Sequence, residues 1–301
     1  MLYMAQQGIN YIDTARGYTV SESYLGEALE GIRDKFVIAT KSMARTKEGM
    51  ANDIDTSLKN LRTDYIDLYQ VHNVPVKDLE MVQGPGGALE ALMEAKEAGK
   101  IGHIGLTAHS LETFEKAVEL PWVETIMFPY NIVERQGEDL MRKCTENNIG
   151  FIVMKPLAGG ALEDVTLALR YICSNPDVSV VIPGMYDVKE IMQNQAACAD
   201  ETPLSLEELE AIEHIRKELG SNFCRRCNYC APCTVGIDIP TMFLLQGYFD
   251  RYGLQDWAKQ RYAGTKVKAS ECIECGECEP RCPYNLPIRK MLKETAEKFD
   301  K

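Results

Sequence analysis

The chain has 301 residues, enough for two ordinary domains or for one barrel with a small appendage. Its 45% hydrophobic and 26% charged residues are those of a globular protein and exclude a disordered, collagenous or coiled-coil chain. With 33 Lys and Arg against 45 Asp and Glu the formal charge is −12, which lacks the basic footprint of a nucleic-acid or anionic-membrane binder.

From Gly8 to about Asn194, short β-branched apolar runs alternate with longer amphipathic stretches. Strands are expected at Asn10–Ile12, Phe36–Thr40, Ile66–Val71, Ile101–Leu106, Glu124–Phe128, Phe151–Met154 and Ser179–Ile182. Helices are expected between them at Glu22–Leu29, Met50–Leu61, Gly87–Ala98, Leu111–Val118, Glu138–Asn147 and Val165–Ser174. Strand and helix in alternation imply a parallel sheet, and seven continuously apolar strands favour a barrel over an open doubly wound sheet. No G-x-G-x-x-G follows the first strand, so the dinucleotide fold of that fingerprint loses its main support. Ser205 opens a charged helix running to about Leu219, with Glu208 as a capping-box partner. The expected organisation is a barrel over residues 1–204, a connecting helix at 205–222 and a cysteine-rich, mainly helical domain at 223–301. No apolar run reaches the ~18 residues of a membrane span, and no basic leader opens the chain, so a cytoplasmic protein with no membrane partner is expected.

Of 11 cysteines, eight lie between Cys224 and Cys282. Cys144, Cys173 and Cys198 stand apart and are expected to be buried small hydrophobes. The second run, C-I-E-C-G-E-C-E-P-R-C-P, spaces Cys272, Cys275, Cys278 and Cys282 as a bacterial ferredoxin does, with three thiolates wrapping one cubane. The first run, C-R-R-C-N-Y-C-A-P-C-T, repeats the tripod in Cys224, Cys227 and Cys230, and Cys233 follows after only two residues. Zinc takes four thiolates, typically as two separated pairs, whereas two triplets and two singles suit two [4Fe–4S] clusters. Either Cys282 completes the first cluster and Cys233 the second, or each run ligates its own.

In a barrel the C-terminal strand ends carry the chemistry. Three successive strand ends are polar: Asp13 in G-I-N-Y-I-D-T-A-R-G-Y, Lys41 in V-I-A-T-K-S and His72 in L-Y-Q-V-H-N, with Tyr18 on the loop after the first. Singly, each has a plain explanation as a cap, a solvated amine or a core imidazole. In register on three neighbouring strands, they form a candidate site.

These motifs resemble the aldo/keto reductases, in the branch with a C-terminal dicluster iron–sulfur domain, and the likeness runs from Gly8 to Asn194 and from Cys224 to Pro283. The resemblance implies a (β/α)₈-type TIM barrel of α/β class. It implies a catalytic tetrad of Asp13, Tyr18, Lys41 and His72, and hydride transfer between a nicotinamide cofactor, NAD(H) or NADP(H), and a small carbonyl or alcohol substrate. Tyr18 would protonate the carbonyl oxygen, Lys41 would lower the phenol from its ordinary pKa near 10, Asp13 would position Lys41, and His72 would orient the carbonyl. It also places Thr107 and His109 near the nicotinamide end, with Tyr130 and Asn131, after the strand expected at Glu124–Phe128, among the cofactor-binding residues. Leu157, Gly159 and Gly160 fall at the pyrophosphate, with Gly184, Glu190, Gln193 and Asn194 around the phosphate and adenine. Glu190 stands where family members often hold a base for the 2′-phosphate of NADP, so a lean towards NADH follows. Family chains begin earlier, with a hairpin and a first strand ahead of the helix containing Met1–Gln7, so either the start lies upstream or the barrel is open on one side. A redox protein partner is expected for the clusters. The rival reading is an electron-transfer or scaffold protein whose barrel is catalytically inactive.

Overall fold

The computed structural model describes residues 1–219, 223–225, 228–250, 254–282 and 284–300. The chain falls into two compact units, Met1–Pro156 with Asp164–Ser205, and Leu157–Glu163 with Leu206–Lys301.

The first unit begins with α1 (Leu2–Gln6) and then alternates as the apolar pattern demands: β1 (Tyr11–Asp13), α2 (Ser21–Ala28), β2 (Val37–Ser42), α3 (Lys47–Leu61), β3 (Ile66–Val71), α4 (Leu79–Gln83) and α5 (Ala88–Glu97). It continues with β4 (Ile101–Thr107), α6 (Leu111–Ala117), β5 (Thr125–Pro129), α7 (Glu138–Glu146), β6 (Gly150–Met154), α8 (Val165–Cys173), β7 (Val180–Val181) and α9 (Val188–Ala199). The seven strands are parallel and hydrogen-bonded in sequence order, β1 to β7. They make a nearly closed barrel. Its seam lies between β1 and β7, which face each other across a cavity of about 560 Å³ lined by Tyr11–Asp13 on one side and Ser179–Met185 on the other.

Side chains alternate along a strand, so each strand feeds two layers. Ile12, Ile38, Tyr69, Val71, Ile126, Phe128 and Phe151 join the layer between sheet and helices. Ala39, Leu68, Met127 and Ile152 form a second, inner cluster with Tyr11 and Met154 against it. Positions two on from the inner residues also face inward: Asp13 follows Tyr11, Lys41 follows Ala39, and Gln70 follows Leu68. Parallel pairing sets Asp13 beside Ala39 and Lys41 beside Gln70. The polar strand ends therefore point at the same mouth. At Gly26 in α2 the packing on α3 is so close that a methyl group would collide with the Asn60 carbonyl oxygen. Gly26→Ala is expected to cost about 1–3 kcal/mol, read as a lowered Tm with unchanged secondary structure.

The second unit holds α10 (Leu206–Leu219), α11 (Ile239–Asp250), α12 (Gln255–Ala263) and α13 (Ile288–Phe299). The helix expected as a connector, α10, groups with this unit. Its core mixes Ile237, Ile239, Met242, Phe243, Leu245 and Leu292 with Cys230, Cys278 and Cys282. A core this small in which the cysteines themselves are packing residues is typical of a domain that relies on metal to fold. Among the described residues no helix is long and apolar enough to cross a membrane.

Candidate active site and thiol-lined cavities

Lys41 is 1% exposed, and its ammonium donates to Asp13 Oδ2 at 2.5 Å and to the Thr14 carbonyl at 2.8 Å. Its Nζ lies 4.9 Å from the centre of the Tyr18 ring. His72 meets the same ring edge-on, 6.0 Å between centroids. Asp13, Tyr18, Lys41 and His72 are thus brought together at one end of β1, β2 and β3. The Tyr18 side of this cluster is open, since Tyr18 is 46% exposed. The seam cavity takes in Asp13 but not Tyr18, Lys41 or His72.

Burial pushes the Asp13 carboxyl up and the Lys41 ammonium down, and each is held against that drift by the other. The Tyr18 hydroxyl is raised, by burial first and then by the Asp13 charge. The expected net lowering does not appear, because burial and the Asp13 charge together outweigh the nearby ammonium, which sits on Asp13.

His72 is held down at about 4 by burial and by the charges of Lys41 and Arg45, and His109 at about 3 by burial and by Lys155 and His72. Both imidazoles are therefore neutral at pH 7. An unfolded imidazole takes its proton near 6.5. The unfolded state thus binds more protons below that point, and stability is whole above pH 6.5 and is lost as pH falls towards 4. Denaturant titrations at pH 7.5 and pH 5 are expected to show this loss, and His109→Gln to reduce it.

Several residues that hold this geometry are not singled out by the sequence. Glu22 is 1% exposed, and its Oε1 accepts from Thr40 and Ser57 at 2.8 Å while Oε2 accepts from Arg16 at 2.5 Å and Asn60 at 3.2 Å. That carboxylate ties the Tyr18 loop, through Arg16, to β2 and α3. Arg45 donates to the carbonyls of His72 and Asn73, each at 3.0 Å, and fixes the loop after β3. Gln70 is fully buried next to Lys41 in register and, by alternation, shares the inward face with Asp13. Glu22, in the first turn of a helix, reads from sequence as a solvated dipole partner. Only the tertiary packing reveals it as a strut.

The residues expected around the cofactor have mixed placements. Thr107 Oγ1 accepts from the Asn73 backbone at 2.7 Å, so this hydroxyl braces the His72 loop. Asn131 is fully buried, donating to Glu134 at 2.8 Å and to the Lys155 carbonyl at 3.0 Å. Tyr130 turns into the sheet–helix layer, where its hydroxyl reaches Glu138 and Tyr171, both at 3.1 Å. Side-chain alternation explains this: Phe128 and Tyr130 share the outer face, whereas Met127 belongs to the inner cluster. Gly184 and Asn194 line the seam cavity, and Gln193 donates to Thr166 at 3.3 Å. Glu190 folds back on its own helix start: Oε2 accepts from the Tyr186 backbone at 2.5 Å while its N–H donates to Asp187. Leu157, Gly159 (φ 69°) and Gly160 (φ 90°) belong to the second unit, the two glycines in the left-handed region.

In the second unit Cys233, Cys272, Cys275 and Cys278 line one cavity. Cys224, Cys230 and Cys282 line another, and Ile239 at the start of α11 borders both. Cys227 lies outside the described residues. The cavities thus group Cys233 with the second run and Cys282 with the first. Among the described residues no three Cys, His, Asp or Glu side chains converge on a single-ion site, and the thiols border these two cavities in two sets. Of the other cysteines, Cys144 is buried as expected, but Cys173 and Cys198 are half-buried and within hydrogen-bonding reach of each other across α8 and α9.

Two family models match the chain, the Aldo/keto reductase family over residues 1–166 and a 4Fe-4S dicluster domain over residues 223–287. Aldo-keto reductase YhdN of Bacillus subtilis is 33% identical over 175 residues, covering 52% of this chain and 50% of that protein, so the match spans half of that relative's length. Aldo-keto reductase AKR11C1 of Bacillus halodurans, solved in its holo form, superposes with a TM-score of 0.62 at 26% identity, over 71% of this chain and 84% of that one. An aldo-keto reductase of Klebsiella pneumoniae, solved in complex with NADPH, shares the fold at a TM-score of 0.60 and 24% identity, over 71% of this chain and 82% of that one.

Proposed function

The chain belongs to the aldo/keto reductase family, and from that premise we propose that it is an oxidoreductase moving hydride between a nicotinamide coenzyme, NAD(H) or NADP(H), and a small carbonyl or alcohol substrate, with two [4Fe–4S] clusters as one-electron carriers. The observation that carries the reading is the buried Lys41–Asp13 pair set beneath the Tyr18 ring with His72 at its edge. The coenzyme supplies the hydride when bound. The chain's own residues handle the oxygen end of the carbonyl.

Tyr18 remains protonated at neutral pH, as a proton donor to a carbonyl oxygen must. Once the proton leaves, the new phenolate lies above the Lys41 ammonium, which stabilises charge that is absent from the ground state. Asp13 holds that ammonium in place. His72, neutral, can donate an N–H to the same oxygen without adding a competing charge. Glu22 and Arg45 keep the two loops from drifting, which matters because small misplacements of reacting groups cost large factors in rate.

For the clusters, Cys233, Cys272, Cys275 and Cys278 would hold one, and Cys224, Cys227, Cys230 and Cys282 the other. The shared cavity lining supports this pairing over ligation run by run. Anaerobic purification with iron and sulfide counted, followed by NADH and NADPH oxidation against a panel of aldehydes and ketones, tests both halves. Clusters without turnover on any carbonyl would favour the rival reading, an electron-transfer protein with an inactive barrel, to which the open seam between β1 and β7 lends support.

A further inference from the structure

The hydroxyl next to one of these cavities has a consequence for redox chemistry. Thr234 directly follows Cys233, and its Oγ1 lies 3.3 Å from Cys275 Sγ. A metal-bound thiolate has no proton to give, so in a loaded site the hydroxyl is the donor and the sulfur the acceptor. The same sulfur accepts the backbone N–H of Glu277. Cys275 is exposed, whereas Cys230 and Cys282 of the other cavity are buried at 8% each. Ile273 beside it is 60% exposed. Among the described residues, the cavity of Cys233, Cys272, Cys275 and Cys278 is the one lined by an exposed cysteine.

One-electron reduction adds a negative charge to a cluster that is already anionic. A hydrogen bond donated to a ligand sulfur draws off part of that charge, so it stabilises the reduced form and raises the potential. We infer that Thr234 is a potential-setting residue: its hydroxyl raises the reduction potential of the cluster held by Cys233, Cys272, Cys275 and Cys278. This rests on the cluster reading above. Thr234 contacts no reacting atom of the barrel chemistry and acts only through the Cys275 sulfur.

The test is a redox titration of the full-length, anaerobically purified protein followed by electron paramagnetic resonance. Thr234→Val has the same shape without the hydroxyl. It is expected to shift one midpoint to a more negative potential, leave the other in place, and keep the iron and sulfide content unchanged. Thr234→Ser, which restores the donor, is expected to return that midpoint close to the parent value. Cys275→Ser identifies the signal, since it should perturb the same one. Thr234→Ala, which cannot crowd the sulfur, serves should the valine variant fail to load. Unmoved midpoints, or a shift confined to the signal that Cys275→Ser leaves alone, would overturn the inference. A parent protein without iron, sulfide and the cluster signals would instead overturn the cluster reading beneath it.

Discussion

Replacing Tyr18 with phenylalanine is expected to lower kcat for carbonyl reduction by about 10²–10⁴-fold, the usual worth of a positioned general acid. Coenzyme affinity, read by fluorescence titration, should stay within about two-fold, because the lost interaction matures only as the oxygen takes up negative charge. The ring itself is retained, so its edge contact with His72 and its place above Lys41 are preserved. A Tyr18→Phe protein that reduces carbonyls as well as its parent would place proton donation elsewhere and leave the barrel outside the family's chemistry. A parent with no turnover to lose would point to the electron-transfer alternative.

The second large effect is expected at Lys41. Lys41→Met keeps the volume but leaves Asp13 with no counter-charge in a site where its side chain is 11% exposed. Breaking a buried pair from one side costs about 3–5 kcal/mol. Asp13, whose carboxyl is already pushed up in the parent, can relieve this by taking a proton. Its folded pKa then rises further above the unfolded value near 3.9, so the stability lost relative to the parent is smallest at low pH and grows as pH rises from about 4. Denaturant titrations at pH 5 and pH 8 would show it. The double variant Asp13→Asn, Lys41→Met should recover most of the stability at pH 8, since no isolated charge remains, yet no activity. An equal loss of stability relative to the parent at the two pH values would show that Asp13 finds another partner there.

The strands, the helices between them and the polar residues at three consecutive strand ends follow from local rules that the sequence itself expresses. Short continuous apolar runs set between amphipathic runs of period 3.6 place every barrel strand to within about two residues, although the last expected strand, Ser179–Ile182, narrows to Val180–Val181. Once strand ends are located, alternation sends Asp13, Lys41 and Gln70 to one face, whereas the tetrad as a set, with Tyr18 on a loop, is implied by the likeness to the family. The cysteine spacing is equally local. Three thiols at intervals of three can wrap one cluster, but their fourth partner is a matter of folding: Cys233 shares a cavity with Cys275 and Cys278 because α11 and α13 bring the two runs together.

What only the tertiary structure decides are the terms that depend on burial and on distant partners. Glu22 becomes a four-bonded strut because Arg16, Thr40, Ser57 and Asn60 converge on it from three elements. Tyr130 leaves the expected cofactor side because its strand position faces outward, towards Glu138 and Tyr171. Glu190 turns back to cap its own helix. The Tyr18 hydroxyl is raised rather than lowered, by burial first and then by the Asp13 charge, while Lys41 is held on Asp13 at 2.5 Å. Sequence carries the identity and spacing of the groups. Desolvation and pairing, which set their charge, exist only once the chain has excluded water from the mouth of the barrel.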